Sequence, residues 1–310
     1  MLTRRSLFVA AALLVSASPA FAQDKLQDKF QSKLIVVASF SILGDLVKNV
    51  GGDRVNVSTL VPPGGDAHVY TPTPADAKRL VEAQLVIVNG LGFEGWLSRL
   101  VKASGGRMPV ITATTGIKPR KLPGDHGHGH GHSHGEADPH AWQSVANVRT
   151  YVTNIREALI AADSAGAAIY RANADAYFGE LDKLDREVKE AVAKLPAERR
   201  KVISTHDAFG YFADAYGITF IAPQGVSTES EASAKDIAAI IRQIKAQKIP
   251  AVFLENVTDP RLMRRIASET GAAVGGTLYS DSLTDEKGDA PTYIGMVRHN
   301  IKALTSALTN

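Results

Sequence analysis

The chain has 310 residues, with 35 Lys and Arg against 32 Asp and Glu for a formal net charge of +3, nine His and no Cys. So even a balance argues against a nucleic-acid binder. The lack of Cys excludes disulfides and every thiolate metal site, leaving His, Asp, Glu and carbonyl oxygen to hold any metal.

The first segment, Met1 to Ala22, carries Arg4 and Arg5, an apolar run from Leu7 to Val15, and Ala20-Phe21-Ala22. These are the parts of a secretory signal with an A-x-A cleavage site. The apolar run is shorter than the about 20 residues of a membrane span, and no Cys follows to carry a lipid. The expected product starts at Gln23 and is soluble and exported, most simply to a bacterial periplasm. Thr3-Arg4-Arg5-Ser6-Leu7 loosely resembles a twin-arginine signal, but paired arginines are ordinary in Sec signals, so the export route stays open. Removal of two arginines and no acid leaves a charge near +1 and about 290 residues, which suits two domains of about 150.

Gln23 to Gln31 is polar and reads as a frayed terminus. Lys33 to Ala38 is a short β-branched run, the pattern of a strand buried on both faces, and Ile42 to Val50 follows with helical spacing closed by Gly51. Val55 to Val61 predicts a second strand. Thr73-Pro74 reads as an N-cap with Pro at the first helical position. Leu85 to Asn89 is a third strand, Glu94 to Lys102 a helix, and Val110 to Ala113 a fourth strand. Val145 to Leu159 continues as a helix. From Ala165 to Leu195, apolar or small residues recur every three or four positions, with Asn173 the polar break; this predicts one amphipathic helix roughly 45 Å long, stopped by Pro196. The pattern then restarts: strands at Lys201–Thr205, Thr219–Ala222, Ala251–Leu254 and Gly276–Tyr279, with helices at Phe209–Ala215, after Ser233, and from Asp259-Pro260 to Gly271. KLIVVASFSILGD against KVISTHDAFGYFAD looks like a faded duplication. The expected fold is α/β: two lobes with four-stranded, mostly parallel sheets, joined by one long rigid helix. The corresponding segments are a signal at 1–22, a lobe at 23–160, a linking helix at 161–197 and a second lobe at 198–310.

Between Asp125 and His140, five histidines, His126, His128, His130, His132 and His134, alternate with Gly and Ser. That composition builds no core and presents imidazoles freely, so the segment 125–135 reads as an auxiliary metal-collecting loop rather than a solvated accident. His140 stands apart, stiffened by Pro139 and followed by Trp142, as a residue of a fixed site. In open α/β sheets, ligands bind beyond the carboxyl ends of the strands. His68, His140, His206 and Asp281 all stand there, two from each half, which predicts a metal site in the cleft between the lobes, open to solvent until metal arrives. Three imidazoles and a carboxylate suit Zn²⁺. Because each imidazole must be neutral to bind, affinity is expected to fall below roughly pH 6. Asp207, Glu255 and Asn256 are candidates to orient the imidazoles or bond the lobes, with helix capping or solvation as the plain alternative.

The stretch Pro63-Gly64-Gly65-Asp66-Ala67-His68-Val69-Tyr70-Thr71-Pro72-Thr73-Pro74, with Asp138-Pro139-His140-Ala141-Trp142, Thr205-His206-Asp207-Ala208-Phe209-Gly210-Tyr211, Phe253-Leu254-Glu255-Asn256 and Leu278-Tyr279-Ser280-Asp281-Ser282-Leu283, resembles the metal-binding solute-binding proteins of zinc and manganese ABC importers. Ala67 and Thr71 depart from that family's usual Pro and Glu. The resemblance covers nearly all of the chain beyond the signal. It implies two lobes on a rigid helix, metal binding by His68, His140, His206 and Asp281, and delivery to an inner-membrane ABC permease, with a periplasmic metallochaperone as a further partner and the chain acting as a monomer. Family members with a carboxylate at the third position resemble manganese proteins, and those with His, as at His206, mostly zinc proteins. The expected cargo is therefore Zn²⁺, bound as substrate rather than as cofactor, with a manganese-binding homologue as the alternative. A zinc hydrolase is the alternative from another class. The chain lacks H-E-x-x-H, a Walker A motif and a dinucleotide fingerprint, and four protein ligands leave a tetrahedral site no place for water.

Overall fold

The computed structural model describes residues 32–122 and 137–309. The expected signal segment and the five loop histidines lie outside these residues. Each half builds a four-stranded parallel sheet, and the two sheets have the same strand order. In the first, β1 (Leu34–Ala38), β2 (Val55–Thr59), β3 (Leu85–Val88) and β4 (Val110–Thr112) are ordered β2-β1-β3-β4. In the second, β5 (Lys201–Ile203), β6 (Thr219–Ile221), β7 (Ala251–Glu255) and β8 (Ala273–Leu278) are ordered β6-β5-β7-β8. The repeated order gives the weak internal sequence similarity a structural counterpart.

The helices follow from their buried stripes and caps. In α1 (Ser41–Gly51), Ile42, Leu43, Leu46, Val47 and Val50 are fully buried. Thr73 opens α2 (Pro74–Glu82) with a capping box: its hydroxyl accepts from Asp76 N while Asp76 Oδ2 accepts from Thr73 N at 2.6 Å. After the short α3 (Leu97–Ala103) come α4 (Val145–Ala162) and the long α5 (Ala167–Ala193), whose 27 residues bury Tyr170, Ala174, Tyr177, Leu181, Leu184, Val188 and Val192 along one face. Asn173, the polar break in that face, donates to Val50 O at 3.0 Å and so satisfies a carbonyl at the end of α1. The second half adds α6 (Gly210–Tyr216), α7 (Ala234–Gln247), α8 (Arg261–Thr270) and α9 (Tyr293–Thr309).

Three features differ from the sequence expectation. The helix expected from Glu94 starts at Leu97, because the buried Glu94 carboxylate serves instead as an acceptor for Ser39 Oγ at 2.6 Å and for the main-chain N–H of Asn89 at 2.6 Å and Gly90 at 3.1 Å. Strand β8 begins before Gly276, at Ala273. Its register shifts against β7 between Val252 and Leu254, and Gly276 takes φ +110 there, a bulge conformation open to Gly. The C-terminal helix α9 had no expectation at all, although Ile294, Val297, Ile301, Leu304 and Leu308 form its buried stripe. It packs on β8, α5 and α1, so it touches both halves.

One apolar core runs through both lobes, from Val36 and Leu46 through Trp142, Tyr151 and Leu184 to Phe253 and Tyr293. A smaller cluster, including Ile203, Ile244, Val252 and Met263, fills the outer side of the second lobe. Polar ties cross between the lobes: Tyr293 Oη donates to Trp142 O at 2.8 Å, Tyr293 N to Asp45 Oδ2 at 2.9 Å, and Trp142 Nε1 to Ser280 O at 2.9 Å. No helix among the described residues is long and apolar enough to cross a membrane.

Candidate metal centre

His68 follows β2 in a loop whose main chain is fixed from two sides. Trp96 Nε1 donates to Ala67 O at 2.7 Å, and Asp66 Oδ1 accepts from His68 N at 2.9 Å. The imidazole meets the Phe93 ring edge-on, with centroids 4.8 Å apart. His140 is set by Asp138, whose Oδ1 accepts both from the main-chain N–H at 3.0 Å and from Nδ1 at 2.8 Å. Asp138 Oδ2 in turn faces Arg120 Nη1 at 3.3 Å, and Asn89 Nδ2 donates to Pro139 O at 2.9 Å. A carboxylate on Nδ1 holds the remaining proton there once the ring gives up its second one, so that Nε2 is the nitrogen offered to the centre.

His206 stands three residues past β5. Glu255 at the end of β7 accepts from Thr205 N at 2.7 Å and His206 N at 3.0 Å through Oε1, while its Oε2 lies 2.5 Å from His206 Nδ1, an ionic contact rather than an aligned hydrogen bond. Asp281 follows β8 on a segment held from three directions. Asn300 of α9 exchanges two hydrogen bonds with the main chain of Tyr279 at 2.9 and 2.8 Å, Trp142 and Gln143 both donate to Ser280 O, and Asn256 Nδ2 donates to Ser282 O at 3.0 Å.

The structure brings His68, His140, His206 and Asp281 together, with one ligand atom of each within 4.8 Å of the others. His68 Nε2 lies 3.2 Å from His140 Nε2 and 3.4 Å from Asp281 Oδ2, and Asp281 lies 3.1 Å from His206 Nε2 and 3.6 Å from His140 Nε2. A tetrahedron with metal–ligand bonds of about 2.0 to 2.1 Å has edges of about 3.3 Å, so these spacings are those of donors around one small cation. Asp281 Oδ1 is buried with no hydrogen-bond partner among the described residues. A carboxylate oxygen left this way is costly unless a cation completes it.

The expected solvent-open cleft is instead closed: His140, His206 and Asp281 are 0% exposed, and the His68 side chain 5%. The shared core and the cross-lobe hydrogen bonds hold the two halves together. In this dry site charge decides protonation. Burial favours the neutral imidazole, but Asp281 and Asp138 outweigh it at His140 and hold its pKa at about 9. At His206, burial is likewise overcome by Glu255 and Asp281, which keep it well above its ordinary value. At His68 burial wins and lowers the pKa against the pull of Asp281. Burial would raise Asp281, but the imidazoles of His206 and His140 bring it well below the usual carboxylate range.

Of the three auxiliary candidates, Glu255 contacts an imidazole, Asn256 braces the segment after Asp281 within its own lobe, and Asp207 gives its main-chain N–H to Gly225 O at 3.1 Å. Sequence reasoning missed the part played by Asp138 in orienting His140, although its D-x-H spacing was visible. The five histidines of 126–134 lie outside the described residues.

A family model described as the periplasmic zinc-uptake complex component A matches residues 36–307. The manganese-binding lipoprotein MntA of Halalkalibacterium halodurans is 33% identical over 302 residues, 97% of each chain. Two solved structures share the fold. The periplasmic zinc binding protein TroA of Treponema pallidum has a TM-score of 0.82 and 34% identity over 89% of this chain and 99% of that one. The manganese-bound periplasmic metal binding protein of Candidatus Liberibacter asiaticus has a TM-score of 0.79 and 32% identity over 89% of this chain and 100% of that one. With a site of three imidazoles and a carboxylate between two βα lobes, the chain belongs to this family of metal-binding substrate-binding proteins of ABC transporters, and it is a binding protein rather than an enzyme.

Proposed function

We propose that this chain captures Zn²⁺ outside the cytoplasm, in the periplasm, and delivers it to a cognate inner-membrane ABC permease. His68, His140, His206 and Asp281 are the ligands in this reading. The lobes at 23–160 and 198–310 present them, the segment 161–197 spaces the lobes, and Met1–Ala22 is the export signal. The observation that carries the zinc assignment is the imidazole of His206 at the third ligand position, within the cluster of three imidazoles and one carboxylate. Nitrogen-rich donor sets favour zinc over the harder Mn²⁺, and zinc lies above manganese in the affinity order for a mixed site. The five loop histidines would gather further ions or exchange them with a periplasmic metallochaperone.

A manganese cargo is the second reading, favoured by the manganese bound in the Liberibacter relative and named for the Halalkalibacterium one. Competition titration with both metals separates the two. The unaltered chain is expected to prefer Zn²⁺, His206→Ala to weaken zinc by orders of magnitude while the fold persists, and His206→Glu to narrow the preference without reversing it. Zinc binding as tight in both variants as in the unaltered chain would remove His206 from the ligand set.

A further inference from the structure

The loop that carries His68 is tied to the opposite lobe at two points just before the histidine. Gly64, in a turn at φ +76, donates its main-chain N–H toward Ser282 Oγ at 2.8 Å and Leu283 O at 3.0 Å. Two residues on, Asp66 Oδ2 accepts from Thr228 Oγ1 at 2.6 Å, while its Oδ1 holds His68 N. Thr228 belongs to the segment after β6, which starts beside His206: Gln224 pairs with His206 in a parallel bridge and donates its N–H to Thr205 O at 3.2 Å. One carboxylate therefore joins the main chain of one candidate ligand to a segment anchored at another, across the lobe boundary.

We propose that Asp66 and Thr228 form a latch over the metal centre and set the rate at which the metal leaves. The proposal rests on the reading of His68, His140, His206 and Asp281 as the ligands. His68 has the least buried side chain of the four, so the short way out passes its side of the cluster. Trp96 fixes Ala67 to the first lobe, so the hydroxyl of Thr228 ties one lobe's rim to the other's where the exit lies. The tie at Gly64 is shared between the Ser282 hydroxyl and the Leu283 carbonyl, so its main-chain half outlasts any side-chain change in the second lobe. The tie at Thr228 is a short, charge-assisted O–H···O⁻ bond, and it breaks without disturbing any of the four ligand side chains. Thr228 and Asp66 are thus positioning residues, acting through His68 and the closed rim.

The test is metal release from the full chain loaded with one equivalent of Zn²⁺, mixed rapidly with excess chelator. Unaltered protein is expected to release zinc in a slow phase that His206→Ala abolishes. Thr228→Val keeps the side-chain volume and loses the hydroxyl. It should speed the slow phase by about tenfold, the size of one hydrogen bond to a charged group, with capture hardly changed, and Thr228→Ser should restore slow release. Release unchanged in Thr228→Val, or equally fast in the Val and Ser variants, would overturn the latch while leaving the ligand assignment standing. An unaltered chain with no slow zinc phase, or a slow phase that survives His206→Ala, would overturn the metal-centre reading and the latch with it.

Discussion

Glu255 meets His206 twice: its Oε1 accepts the histidine's main-chain N–H at 3.0 Å, and its Oε2 lies 2.5 Å from Nδ1 of the same residue. One carboxylate thus fixes both where the residue sits and which ring nitrogen keeps its proton when a metal takes the other. Glu255→Gln keeps an acceptor for the main chain but turns an amide N–H toward Nδ1. Nδ1 would then have to accept, leaving the proton on Nε2, where the metal must bind. Zinc affinity should fall by about 10- to 100-fold, as for other residues that orient a metal-bound imidazole, with little loss of fold. Calorimetry on the variant checks this, and an unchanged affinity would show that Glu255 serves only the main chain.

The acidic surroundings of the histidines give a proton count. Burial is overcome by Asp281 and Asp138 at His140, held at about 9, and by Glu255 and Asp281 at His206, held well above its ordinary value. Both imidazoles of the metal-free site therefore carry protons at pH 7. The folded-state value of His140 lies above the unfolded one near 6.5, so its contribution to metal-free stability is full below about pH 6.5 and is lost as pH rises through about 9, and that of His206 runs in the same direction. Metal needs the same imidazoles neutral, so its affinity climbs over that window rather than levelling off above pH 6 as free imidazole values suggest. Loading at pH 7 should release about two protons, measurable by calorimetry in buffers of differing ionisation enthalpy. A count near zero would contradict two protonated imidazoles in the metal-free site.

Gly210, the first residue of α6, lies against the Arg120–Asp138 pair. A Cβ there would stand 2.5 Å from Arg120 Cζ and 2.7 Å from Asp138 Oδ2. In Gly210→Ala the guanidinium, at the end of a flexible chain, is pushed off, and the buried Asp138 Oδ2 loses it as a partner. The expected cost is about 1 to 3 kcal/mol of stability, with weaker metal binding through a loosened His140. Thermal melts with and without zinc read both effects.

The described residues on either side of the His-rich segment are joined to each other. Lys121 and Ala137 form an antiparallel bridge, and Asp138 N donates to Arg120 O at 2.9 Å. Deletion of 125–135 should therefore spare this bridge and the tight site and abolish only weaker, additional zinc binding. Titration of the deleted chain sinks this expectation if the tightest site disappears.

The sequence made the strand ends legible because buried apolar runs, such as Val36–Ala38 and Leu85–Val88, have few other uses, and His206 and Asp281 each stand three residues past a strand, while His68 and His140 stand further along the loops that leave β2 and β4. Thr73-Pro74, Ser233 and Gly271 marked helix ends through local chemistry alone. What escaped depends on distant partners. Glu94 looks like a helix residue until Ser39 and the Asn89 turn claim its carboxylate. Asp138 shows no role until the His140 ring lies beside it, Glu255 could not be told from Asp207 and Asn256 until one of them met an imidazole, and the closure of the cleft depends on hydrogen bonds between residues far apart in the chain, such as Thr228 and Asp66. The helix Tyr293–Thr309 had a readable stripe; its role, bracing Tyr279 through Asn300, did not.

The apolar core that continues from one lobe into the other has a mechanical consequence. Wide separation of the halves would strip water-excluding contacts from Trp142, Tyr151 and Tyr293 together, a loss no single ligand bond offsets. The molecule is better described as a rigid frame with a door than as a pair of jaws. Loaded and empty forms would then present nearly the same outline to a receptor, which must tell them apart by the few residues around the doorway.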